Sequence, residues 1–170
     1  DELKTSALQA ILIALGLVLI YITFRFQWRQ GIAAIITLLH DVMVVVGIFS
    51  IFDKEFTLPV IAALLTVVGY SLNDTIVIFD RIRENISKFR KRELLPLINQ
   101  SVTETLSRTL LTSGTTLMVV LAVVFLGGEI IHDVAFSLLV GLLIGTYTSI
   151  YVASPTVLWL TKIAPPKTSD

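Results

Sequence analysis

The chain has 170 residues, of which 55% are hydrophobic and only 15% charged, and a mean hydropathy of +0.86; soluble domains carry about a quarter charged residues, so this balance belongs to a membrane protein. Its 13 basic and 13 acidic residues cancel and cysteine is absent, which gives no footing for nucleic-acid binding and excludes a disulfide framework or a thiolate metal site. It opens at Asp1 without the basic segment or cleavage site of a signal peptide, and is expected to be a fragment or processed piece.

Five apolar stretches are long enough to cross a hydrocarbon core, which takes roughly 17 to 25 helical residues. They run from about Leu8 to Phe24, Gly31 to Phe52, Leu58 to Phe79, Leu110 to Leu126 and Val134 to Ala153. Strict apolar alternation is missing, so these are helices and not barrel strands. The expected class is all-α, a polytopic membrane helix bundle occupying the whole chain as one transmembrane domain.

Lys and Arg in the short loops set the expected orientation. With the N-terminus outside, the inner side holds Arg25, Arg29, Arg81, Arg83, Lys88, Arg90, Lys91, Arg92, Arg108, Lys162 and Lys167, and the outer side only Lys4 and Lys54. The outer loops, Asp53 to Thr57 and Gly127 to Asp133, are too short for a folded domain. The one substantial inner loop spans Asp80 to Thr109. Its first part, to Phe89, prolongs the third helix, and Pro96 suits the first turn of a new one. Leu94, Ile98, Val102 and Leu106 recur every four residues, the pattern of an amphipathic helix along the inner surface or of a solvated connector.

Ionisable residues inside the spans carry the functional signal. His40 and Asp41 fall near the middle of the second span, and Asp74 in the inner half of the third, about 7 to 8 Å before Phe79. An ionised Asp at mid-membrane costs about 2.5 to 3.5 kcal/mol or more, so such residues face protein or water and mark ion pathways. The plainer reading of each is a polar tie to a neighbouring helix. Arg108, at the inner boundary of the fourth span, is the expected partner of Asp74. Its long stem can carry the guanidinium inward or let it reach outward, and either move changes the proton affinity of the carboxylate. Asn73 is expected to help hold Asp74. His40 and Asp41 are supporting polar residues.

Other polar features carry less. Gly141 and Gly145 form a GxxxG suited to close helix approach, and Thr112, Ser113, Thr115 and Thr116 are a polar stripe for interhelical hydrogen bonds. His132 has no metal-ligand spacing to any partner. Asp41 and Asp74 on successive helices also fit a two-carboxylate intramembrane protease, although Asp74 follows Asn73 where that class has Gly-x-Gly-Asp. A purely structural membrane subunit is the third alternative.

The stretch GYSLNDTIVIFDRIREN (69–85), with FRFQW at 24–28, HD at 40–41, TLSRTLLTSGTTL at 105–117 and SIYVASP at 149–155, resembles the SecF subunits of the bacterial SecD/SecF protein-export membrane proteins, of the resistance-nodulation-division superfamily. The likeness covers almost the whole chain in order. It implies that the five spans are helices two to six of a six-helix subunit, the first helix and a periplasmic domain lying outside this sequence. It implies an auxiliary role in the Sec translocase, with SecD, the SecYEG channel and also YajC and YidC as partners, and translocating preproteins as cargo. Proton-motive force in the bacterial cytoplasmic membrane would drive the work, without a cofactor. Asp74 in NDT and Arg108 in SRT match the family's membrane-embedded acid and boundary arginine, both implicated in proton conduction. The N-terminus of the chain would be periplasmic and the C-terminus cytoplasmic.

Overall fold

Apolar runs punctuated by short polar turns leave the backbone one way to satisfy itself in lipid, and each of the five runs forms a helix. The computed structural model describes residues 2–26, 28–89 and 93–163. Among them, α1 (Glu2–Arg25), α2 (Trp28–Ile51), α3 (Leu58–Lys88) and α4 (Leu94–Leu126) contain the first four expected spans, except that Phe52 falls in the turn after α2. The fifth is one run made of α5 (Glu129–Thr148), a π-helical turn (Ser149–Ala153) and α6 (Ser154–Ile163). Four of these elements, α2, α3, α4 and the run from Glu129 to Ile163, are long and apolar enough to cross a membrane. Arg90, Lys91, Arg92 and Lys167, counted above toward orientation, lie outside the described residues.

Helix boundaries follow local chemistry. Thr57 is extended ahead of α3 and Pro59 sits in its first turn, where a missing N–H costs nothing. Between α4 and α5 the chain reverses at Gly128, whose φ of +74° is left-handed and open to glycine at little cost. Pro155 has no N–H for the carbonyl one turn back and its ring would crowd it; the wide π turn ends just before it.

One element differs from expectation. Residues 94–106 are helical, but they form no separate surface helix: α4 runs unbroken for 33 residues, about 50 Å at 1.5 Å per residue. There is no Gly or Pro from Leu97 to Ser113 to interrupt it, and its polar residues find partners on the inner extension of α3. Asn85 Nδ2 donates to Ser101 Oγ and to Glu104 Oε2, both at 2.9 Å. Arg81 Nε donates to the same carboxylate at 2.5 Å. The apolar side of this segment, with Leu97 and Ile98 buried, joins the main core.

Helix α5 is the hub, touching α2, α3 and α4, whereas α1 lies at the margin against α2 and α3. The GxxxG permits a close contact between α5 and α3. A Cβ on Gly141 would fall 2.3 Å from Val67 Cγ2, and one on Gly145 would fall 3.1 Å from Ser71 Cβ, both on α3. Phe49 and Phe136 pack 5.8 Å apart at the end where Lys54 pairs with Asp133 at 2.5 Å. At the other end Arg25 pairs with Asp80, and Gln30 Nε2 donates to the Phe79 carbonyl at 3.1 Å. The bundle has polar groups within and apolar ones without: Thr37, Asp41, Ser71, Asp74, Thr75, Ser113 and Thr148 are buried, while Leu111, Met118, Val119 and Phe125 of α4 are exposed. That inversion suits a lipid solvent.

Candidate functional site

The inward face of α3 presents Ser71, Asp74, Thr75 and Ile78, all buried, at the i, i+3, i+4 and i+7 positions that share one side of a helix. Two polar clusters are built on this stripe. In the first, Asp41 of α2, fully buried, accepts a hydrogen bond from Ser71 Oγ. His40 Nδ1 lies 3.5 Å from Asp41 Oδ1 and 3.3 Å from Thr148 Oγ1. Ser149, in the π turn, stands 3.0 Å from Thr75 Oγ1. Asp41 therefore ties α2 to α3, and the hydroxyls around it carry the tie on to α5.

Asp74 belongs to the second cluster. It is three residues beyond Ser71, about 4.5 Å along the axis, and 4% exposed. Ser113 Oγ of α4 donates to its Oδ2 at 3.3 Å, and Thr146 Oγ1 of α5 lies 2.8 Å from that same Ser113 oxygen. Three helices thus contribute one polar group each to a buried relay, carboxyl to hydroxyl to hydroxyl, able to hold or pass a proton.

Arg108 lies exposed on α4, five residues before Ser113. Among the described residues it forms no ion pair with Asp74. The next residue, Thr109, is 1% exposed, and its Oγ1 has no hydrogen-bond partner among the described residues. Ser101, Thr105, Thr109 and Ser113 make a buried hydroxyl row on α4, spaced by four and leading from the Asn85–Glu104 contacts to Asp74. Sequence reasoning found Ser113 but not the row; the four-residue recurrence of Ser and Thr was its signal.

Asn73 is exposed and shares no hydrogen bond with Asp74 among the described residues. Adjacent helical residues point about 100° apart, so the group on Asp74 is Ser113 and not its chain neighbour. In the expected polar stripe, Tyr70 OH reaches Thr116 Oγ1 at 3.3 Å, whereas Thr112 and Thr115 bond back to their own helix. The two carboxylates have separate partners: Asp41 is held by Ser71, Asp74 by Ser113. His132 is stacked on Phe136 with centroids 6.5 Å apart, and no group of three His, Cys, Asp or Glu among the described residues is placed to hold a metal ion.

Residues 1–163 match the family model described as protein export membrane protein SecD/SecF, C-terminal. The chain is 53% identical over 160 residues to the protein translocase subunit SecF of Vibrio alginolyticus, an alignment covering 94% of the chain and 51% of that protein. It is 50% identical over 157 residues to the protein translocase subunit SecDF of Thermus thermophilus, covering 92% and 21%. A crystal structure of SecDF in a super-membrane-facing form is similar with a TM-score of 0.88 at 49% identity, over 96% of this chain and 22% of that one. The chain therefore spans about half the length of that SecF and about a fifth of that SecDF. It belongs to the SecD/SecF C-terminal family of protein export membrane proteins.

Proposed function

We propose that this chain is the membrane core of an auxiliary Sec translocase subunit, working with SecD beside the SecYEG channel, with YajC and YidC as further neighbours, to promote late translocation and release of exported proteins. The energy comes from proton-motive force across the bacterial cytoplasmic membrane. The N-terminus of the chain faces the periplasm and its C-terminus the cytoplasm. The observation that carries the proposal is the buried Asp74, held by Ser113 of α4, which is in turn bonded to Thr146 of α5, with a cation at the nearby boundary. Protonation of Asp74 removes the cost of its charge, and inward or outward motion of Arg108 shifts which form is favoured. A membrane potential supplies about 2.3 kcal/mol per charge per 100 mV, enough to bias a conformational equilibrium at each proton passed. Such a chain is a transport component and not a hydrolase, a reading favoured by the separate partners of Asp41 and Asp74.

The test is gradient-dependent late export into vesicles carrying the complete, assembled complex. Asp74→Asn keeps size and hydrogen bonding but removes the titratable proton, and should abolish stimulation by the gradient while leaving assembly intact. Arg108→Lys should also be impaired, since an ammonium lacks the planar fork. Asp41→Asn should be milder; a two-carboxylate enzyme would suffer equally from either Asp change. Full gradient-dependent export by Asp74→Asn would sink the proposal.

A further inference from the structure

Where α1 ends and α3 runs on past its apolar stretch, a cleft of about 410 Å³ opens between Arg25 and Asp80, Arg83, Glu84, Ser87 and Lys88. Its charges are mostly satisfied within the protein. Asp80 is taken by Arg25, and Glu84 receives Lys88 on one oxygen and Arg81 on the other, both at 2.6 Å. Arg81 also pairs with Glu104. Four cations, Arg25, Arg81, Arg83 and Lys88, thus stand against three carboxylates, Asp80, Glu84 and Glu104. The surplus is Arg83, exposed and without an ion pair among the described residues. Ser87, one turn further on the same helix face, adds a hydroxyl donor.

The surroundings identify what brings the missing negative charge. Phe24 is 89% and Trp28 56% exposed, an apolar and an amphipathic ring at the level where the basic residues begin, as found at membrane–water boundaries. The Arg29 guanidinium lies 5.2 Å over the Trp28 ring, and its buried Nε has no hydrogen-bond partner among the described residues. Arg90, Lys91 and Arg92 follow closely in the sequence. Basic pockets between membrane helices take anionic headgroups, and the guanidinium fork matches two phosphate oxygens at once.

We propose that this cleft binds the phosphate of an anionic phospholipid, with Arg83 and Ser87 as its direct ligands, Lys88 beside them, and the acyl chains passing Phe24 and Trp28. One phosphodiester carries the single negative charge that Arg83 lacks. Free phosphate shares the chemistry but gains nothing from the two exposed rings.

Native mass spectrometry of the full-length protein, titrated separately with phosphatidylglycerol, phosphatidylcholine and inorganic phosphate, tests the assignment. One phosphatidylglycerol should bind in preference to phosphatidylcholine. Arg83→Gln should weaken it about tenfold, more than the roughly fivefold that one cation near an anionic surface supplies without a site. Lys162→Gln, which removes an exposed cation elsewhere, should leave it unchanged, and Arg83→Lys should bind better than Arg83→Gln. Because Arg83 is exposed, the variants should keep the parent melting temperature. Equal binding of the two lipids, equal weakening by Lys162→Gln, or displacement of the lipid by millimolar inorganic phosphate would overturn the proposal.

Discussion

Substituting Gly141 by Ala adds one methyl group at the tightest helix contact. That carbon would lie 2.3 and 2.4 Å from the Val67 Cγ atoms and 2.9 Å from its Cβ, where carbon pairs pack best at about 3.5 to 4.0 Å. Rotating Val67 does not relieve the contact, since its Cβ is itself too near, and the residue is buried. Relief requires α5 to withdraw from α3 by roughly 1 Å to approach that separation, which loosens the Gly145 contact one turn away. Overpacking of this kind costs about 1 to 3 kcal/mol. Against it stands the better helix propensity of Ala, worth up to about 1 kcal/mol, for a net loss of roughly 1 kcal/mol. Gly114→Ala is the matched control, because its added carbon meets nothing within 4 Å. Denaturant or thermal unfolding in detergent, followed by helical circular dichroism, should show Gly141→Ala destabilised and Gly114→Ala unchanged or slightly stabilised. Val67→Ala in the Gly141→Ala background should recover part of the loss and no more, since the 2.9 Å contact persists. Equal stability of Gly141→Ala and the parent chain would refute the close-packing argument.

Two further outcomes are expected. Asn85→Ala removes donors to both Ser101 and Glu104, at a cost of about 2 kcal/mol; hydrogen exchange should accelerate in residues 94–105 and stay unchanged at the opposite end of the bundle, and uniform acceleration would refute a local clamp. Cysteine labels at Lys54 and Gly128 should react from the periplasmic side and labels at Lys91 and Lys167 from the cytoplasmic side, a pattern that labelling of Lys91 from outside would overturn.

The spans were legible because their composition leaves a membrane segment few alternatives, and the burial of Asp74 within the bundle because a charge facing lipid is too costly. Their immediate company was not. Ser113 reaches Asp74 from α4 and Thr146 reaches Ser113 from α5, and hydroxyl residues in apolar helices bond equally well to their own backbone, as Thr112 and Thr115 do. Asn73 misled because adjacency in sequence is not adjacency around a helix. The unbroken course of α4 was hidden for a related reason: the polar run from Asn99 to Arg108 reads as a surface segment until Asn85 and Arg81, on a different helix, are seen to satisfy it. Pro155 was visible, but whether a proline kinks, ends or merely widens a helix depends on the packing around it.

The π turn at Ser149–Ala153 puts the two halves of the last helix out of phase. One extra residue in a turn advances everything after it by about 100°, so the face that α5 offers to α3 through Gly141 and Gly145 is not the face that α6 continues. α6 instead meets α2 and α4, with Ser154 and Val157 turned inward. The segment after Ser149 is therefore clocked separately from the glycine notch that seats α5, and at the junction the Ser149 hydroxyl meets Thr75 of α3.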